Sequence, residues 1–120
     1  MNVLFVSVRD AAGSQIARAL HEREGGSARS AGTEPAEEVD GAVVEVLEEV
    51  GIDVSRRRPA RLAGADLAWA DRVVTIGGGD CARLPGKRYE DWSVPDPAGL
   101  CLEEARDLRA VIERRVSRLR

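Results

Sequence analysis

Aromatic residues are nearly missing from this 120-residue chain: one Phe, one Tyr and two Trp make up 3% of it. Any core must therefore be filled by Val, Leu, Ile and Ala. Cysteine is scarce as well. Cys81 and Cys101 are too few to staple a small secreted fold. With His21 as the one histidine, no Cys/His cluster has the spacing of a zinc site, and neither a metal nor an organic cofactor is expected. Long apolar runs are absent too. The run Val3 to Val8 is cut by Arg9 and Asp10 long before a signal peptide or a membrane span could form, so the expected compartment is the cytoplasm, with no membrane partner. Nor is there a basic excess. The formal charge is −3, which argues against a general nucleic-acid binder. Lys87 is the sole lysine in an arginine-rich chain, a bias that carries no functional reading. What remains is 43% hydrophobic and 32% charged, the balance of a globular protein, with length for one domain over residues 1–120.

The pattern along the chain alternates strands and helices. Residues 2–7, NVLFVS, read as a strand buried on both faces. Small residues follow in Arg9-Asp10-Ala11-Ala12-Gly13, and Ser14 reads as the N-cap of a helix that Gly25-Gly26 stops. Residues 27–31 form a second strand. Val39, Val43, Leu47 and Val50 recur at helical spacing, and Gly51 ends that helix. A shorter helical patch covers 62–69, a third strand 72–76, and a short fourth strand falls within 87–92. The last helix places Leu108, Val111, Ile112 and Leu119 on one face. This order predicts an α/β fold of three layers, a four-stranded parallel sheet between helices, with the first strand central. Ligands in such folds bind at the carboxyl ends of the strands, which selects the loops after residues 7 and 76.

A strand, a loop of small residues and a helix N-terminus make an anion trap, because successive N–H groups converge where the helix dipole is positive. The segment Ser7-Val8-Arg9-Asp10-Ala11-Ala12-Gly13-Ser14 has that shape. By pattern alone it is either such a loop or a plain structural turn.

The stretch VLFVSVRDAAGSQIARAL resembles the phosphate loop of low-molecular-weight tyrosine phosphatases and of thioredoxin- or mycothiol-coupled arsenate reductases, whose pattern is Cys-x-x-x-x-x-Arg-Ser. The similarity continues in order through Ser30-Ala31-Gly32-Thr33, Val50-Gly51-Ile52-Asp53 and Ala70-Asp71-Arg72-Val73-Val74-Thr75. It is strongest in residues 85–92, PGKRYEDW, and 96–99, DPAG, which favour the arsenate-reductase branch. The resemblance implies the family's α/β fold, a small oxyanion (phosphate, sulfate or arsenate) as ligand, and a protein partner.

The departures matter as much. Ser7 stands where the family has its nucleophilic cysteine, Gly13 where it has the phosphate-clasping arginine, and Gly78 where it has a relay cysteine. Ser14, Cys81 (the last relay cysteine) and Asp96 (the general acid) are the matches that remain. A loop thiol ionises near neutral pH at such a site, whereas a serine hydroxyl needs an adjacent base. His21, about two turns along the helix, is no candidate for it. Losing a guanidinium removes a stabiliser worth on the order of 10²–10³ in rate. Ser7 and Gly78 also break a relay that must carry electrons through thiols. These changes imply a catalytically degenerate oxyanion binder with Arg9, Asp10, Ala11, Ala12, Gly13 and Ser14 around the anion. Arg9 is a possible substitute cation, and Asp10 an unfavourable charge.

Two other functions stay open: an enzyme with altered chemistry through Ser7 or a Cys81–Cys101 pair, and an interaction module with an empty loop. Asp96 is either the family's acid or a turn residue before Pro97. Arg56-Arg57-Arg58 with Arg61 is either a partner patch or a solvated face. Trp69 and Trp92 read as core or cleft-wall residues.

Overall fold

The computed structural model describes residues 1–77, 87–94 and 99–119. Eight elements follow one another: β1 (Asn2–Ser7), α1 (Gly13–Arg23), β2 (Ser27–Gly32), α2 (Gly41–Glu48), α3 (Gly64–Trp69), β3 (Arg72–Ile76), β4 (Arg88–Trp92) and α4 (Leu102–Ser117). The strands form one parallel sheet in the order β2-β1-β3-β4. β1 lies inside the sheet, as its doubly apolar sequence requires: Val3, Leu4, Phe5 and Val6 are all fully buried. Alternation along β1 divides the core. Val3 and Phe5 face α1, α2 and α4 through Ile16, Leu20, Val43, Leu47, Ile112 and Val116. Leu4 and Val6 face the other way, onto Val73 and α3's Leu67. The result is the three-layer arrangement expected, a single domain with helices on both faces of the sheet.

The scarcity of aromatics is met by concentration. Phe5 lies 6.0 Å from His21 and 5.8 Å from Trp92, ring centre to ring centre. Trp92 is buried and donates from Nε1 to Glu90 Oε2 at 2.6 Å. Trp69 is half-buried, with the Arg29 guanidinium 4.3 Å from its ring centroid.

Two sequence expectations need correction. Ser14 is not an N-cap: α1 begins at Gly13 behind Ala12, and no side chain caps it. The Ser14 hydroxyl is engaged in the loop instead. Val111 does not share the buried face of α4. It is 40% exposed, and the face turned inward is Ala105, Leu108, Ile112 and Val116, with buried Leu119 beyond the helix end. The i, i+3, i+4 spacing admitted Val111 as a stripe-edge position, and the packing of α4 on α1 and α2 leaves that edge outside.

Candidate functional site

Strand order reverses at β1, whose neighbours β2 and β3 both follow it in sequence, so the crevice of this sheet opens at the end of β1. Ser7 ends that strand and is completely buried. The loop from there to α1 is shaped from outside by the segment after β2. Thr33 N donates to Ser7 O at 3.2 Å, Glu34 N to Val8 O at 2.7 Å, Ala36 N to Arg9 O at 2.9 Å, and Asp40 N to Ala11 O at 2.9 Å. Gln15 Nε2 reaches Asp10 O at 3.2 Å, and Ile16 N reaches Ala12 O at 3.0 Å.

Six consecutive carbonyls are thus held outward. All peptides among the described residues are trans, and in a trans peptide the next residue's N–H points opposite to the carbonyl. The amides of residues 8–13 therefore turn toward the hollow. Asp10 obeys this rule, its N–H donating inward to Ser7 Oγ at 2.9 Å. The amides of Arg9, Ala11, Ala12 and Ser14 have no acceptor among the described residues. Convergent unpaired amides at a helix N-terminus attract an anion.

Close approach makes this possible. A Cβ on Gly32 would stand 2.7 Å from Val8 O and 3.0 Å from Asp10 N, so the end of β2 must be glycine for the loop to lie against it. Asp10 itself takes a left-handed backbone, φ 50°, which Asp and Asn tolerate better than most residues.

The side chain of Asp10 revises its expected role. It is fully buried and turned away from the hollow, with Oδ1 accepting from Ser14 Oγ at 2.7 Å and Oδ2 from Ala60 N at 3.0 Å. Ser7 Oγ and Ser14 Oγ are 2.9 Å apart. Burial pushes the Asp10 carboxyl above the ordinary aspartate range, against the pull of the Ala60 amide, the Ser14 and Ser30 hydroxyls and the Arg18 charge. So Asp10 offers the hollow neither its amide nor its carboxylate. It braces the loop from behind.

Arg9 is exposed, and the bracing segment that holds its carbonyl carries the exposed Glu34, Glu37 and Glu38. His21 packs on Phe5, with burial lowering its pKa. Asp96, Cys81 and Gly78 lie outside the described residues. Cys101 is exposed and free ahead of α4, its amide donating to Glu104 Oε1 at 3.0 Å. The run Arg56-Arg57-Arg58 lines a separate cleft of about 610 Å³ with Glu38 and the start of α2. Arg57 there is ion-paired to Glu22, and Arg61 Nη1 donates to Thr33 O at 3.2 Å.

The bracing set was missed in the sequence. Gln15 is a fully buried polar residue on a helix face, and nothing in the spacing distinguishes it from an exposed one. Gly32 stands out in the sequence only as one position of Ser30-Ala31-Gly32-Thr33, with no sign of the close approach it permits. No group of three or more His, Cys, Asp or Glu among the described residues is placed to hold a metal.

The chain as a whole has known counterparts. The family model for low molecular weight phosphotyrosine protein phosphatase matches residues 2–120. A putative arsenate reductase of Halobacterium salinarum is 36% identical over 124 residues, covering 93% of this chain and 85% of that protein. The thioredoxin-dependent arsenate reductase of Corynebacterium glutamicum superposes with a TM-score of 0.85 at 35% identity. The match covers 97% of this chain and 58% of that one, so the chain spans little more than half of that reductase. The arsenate reductase of Archaeoglobus fulgidus gives a TM-score of 0.78 at 34% identity, with 95% and 94% covered. With the family model, the fold and nearly the full length in agreement, the chain belongs to the low molecular weight phosphotyrosine protein phosphatase family, among relatives named as arsenate reductases.

Proposed function

We propose that this protein is an oxyanion-binding member of the arsenate-reductase and phosphatase family that does not run the family's thiol chemistry. The observation that carries the reading is the buried Ser7 at the end of β1, followed by a loop whose amides at Arg9, Ala11, Ala12 and Ser14 have no acceptor among the described residues. The cradle needs only backbone and a helix N-terminus, and replacing the thiol and the guanidinium leaves both in place. Reduction of arsenate needs a thiolate at that floor and a second thiol to carry electrons out. A hydroxyl accepts no such role.

Binding is weak on this reading. Gly13 brings no guanidinium, and a charge-assisted hydrogen bond contributes about 1.5–3 kcal/mol, so affinity falls at least tenfold below a site that has one. Exposed Glu34, Glu37 and Glu38 repel anions at the rim, and Arg9 is the cation nearest in sequence to oppose them. Phosphate, sulfate or arsenate then binds in roughly the millimolar range if a micromolar parent site is taken as reference.

Titration with phosphate followed by amide chemical shifts tests this. Shifts confined to residues 7–15 are the expected result. A flat response at tens of millimolar (about ten times the expected dissociation constant) leaves the interaction-module reading in its place. Arsenate reduction coupled to thioredoxin or mycothiol is expected to be undetectable. Ser7→Cys alone recovers little, whereas Ser7→Cys with Gly13→Arg recovers far more than the two singles together, because the groups act as a unit.

A further inference from the structure

The run Arg56-Arg57-Arg58 is more than a solvated face. It lines, with the start of α2, the cleft of about 610 Å³, a size that takes a small organic ligand. This wall is held in shape before any ligand arrives. Buried Val54 pins it to the core, and Asp53 Oδ1 accepts from Ser55 N at 2.9 Å and from Ser55 Oγ at 2.6 Å. Arg57 N closes the turn on Val54 O at 3.0 Å. Val39 and Val44 join Val54 as the apolar part of the lining. No aromatic side chain lines the cleft among the described residues, so it offers no ring for a base or an aryl group to stack on.

Positive charge is in excess along this wall. Glu22 of α1 is one carboxylate between two guanidiniums: it is ion-paired to Arg57 and lies 3.6 Å from Arg18 Nε. It does not satisfy both. Arg57 Nη1 and Arg18 Nε are buried and have no hydrogen-bond acceptor among the described residues, which costs free energy. Arg56 and Arg58 are exposed. Arg58 has no ion pair or hydrogen bond among the described residues, and Asp53, the carboxylate that interacts with Arg56, is already engaged by Ser55. Against three lining arginines stands a single lining carboxylate, Glu38.

We propose that this cleft is a second anion site, separate from the loop, for a small organic anion with an aliphatic body. Arg56 and Arg58 take the charged head, a carboxylate or a phosphate, since the guanidinium fork matches either. The body lies on the valine side of the cleft. Arg57 is a positioning residue, its ion pair with Glu22 tying the wall to α1. The site stands independently of the loop, because none of residues 7–14 lines the cleft.

The test titrates the full chain with hexanoate and with hexyl phosphate, read by amide chemical shifts. At least one of the two is expected to shift residues 38–44 and 53–58, and the stronger tells a carboxylate ligand from a phosphate one. Its affinity should exceed that of its head alone, acetate or inorganic phosphate, by about twofold or more per methylene. A methylene fully removed from water is worth roughly fourfold, and this cleft is open to solvent. Hexanol, the body without the charge, should leave these amides unshifted. Arg56→Glu with Arg58→Glu changes two exposed positions outside every strand and helix, so the fold should tolerate it. That variant should weaken the stronger probe by about tenfold or more, with phosphate still shifting residues 7–15. Shifts from both probes confined to residues 7–15, or no shifts, overturn the cleft site. An equal response to hexanol, or undiminished binding in the double variant, overturns the arginine head site. Equal affinity for the head alone overturns the aliphatic body. The loop reading is judged separately, on residues 7–15 and inorganic phosphate.

Discussion

Two polar clusters of this protein use the same chemistry in opposite surroundings. On the outer face of α2 and α4, Glu49 accepts from Arg106 Nε and Nη2, the latter at 2.6 Å, and from Arg109 Nη1 at 2.9 Å. Under the loop, Asp10 accepts from one hydroxyl and one amide. By number of bonds and formal charge the surface cluster is the richer. Burial reverses the ranking. Exposed ion pairs exchange bonds with water and contribute little, whereas a donor stranded in the interior loses its hydration outright. The titration directions record the same contrast. Arginine contacts hold Glu49 down at about 2, while burial drives Asp10 up.

Breaking the buried cluster is expected to have the largest effect. Asp10→Ala strands the Ser14 hydroxyl and the Ala60 amide and forces a left-handed backbone on alanine, so unfolding should become easier by about 3 kcal/mol or more. Denaturant titration measures this, and a loss under about 1 kcal/mol would show that water enters to replace the carboxylate. The pH dependence sharpens the point. A folded pKa above the unfolded value means the native state holds the proton more tightly, so this stability is present at low pH and lost as pH rises through the folded value. Asp10→Asn should remove that slope.

Gly32→Ala comes next. Its Cβ would meet backbone atoms of Val8, Arg9 and Asp10, none of which can rotate away, and the cost should be about 1–3 kcal/mol. The same variant should blunt the phosphate-induced shifts, because the loop must move off β2.

The smallest effect belongs to Glu49→Gln. Its depressed pKa contributes stability above the ordinary glutamate range that is lost as pH falls toward about 2, the sign opposite to Asp10. At neutral pH the variant should unfold at nearly the parent's denaturant midpoint. A large drop there would place the surface cluster on the same footing as the buried one.

Much of the frame was legible because it depends on local pattern. NVLFVS could only be an interior strand, and alternating elements could only give a parallel sheet with its ligand crevice at strand ends. The place of the loop was legible for the same reason, while local pattern alone left it between an anion loop and a plain turn. Local pattern misled where a neighbour decides the outcome. Val111 lies at helical spacing, yet the helices packed beside α4 leave it outside. Ser14 has the chemistry of an N-cap, yet Asp10 holds its hydroxyl.

By itself, then, the sequence determined the α/β frame and the place of the loop between the first strand and the first helix, because these follow from residue identity and short-range periodicity. Only the tertiary structure decided the inward turn of the amides, set by Thr33, Glu34, Ala36 and Asp40 gripping carbonyls 26 to 29 residues earlier. It also decided the role of Asp10. That residue reads as a repulsive charge in the chain and becomes a buried acceptor once Ala60, fifty positions away, brings it a donor. Hydrogen-bond direction is a property of partners, and partners that distant are assigned by the fold.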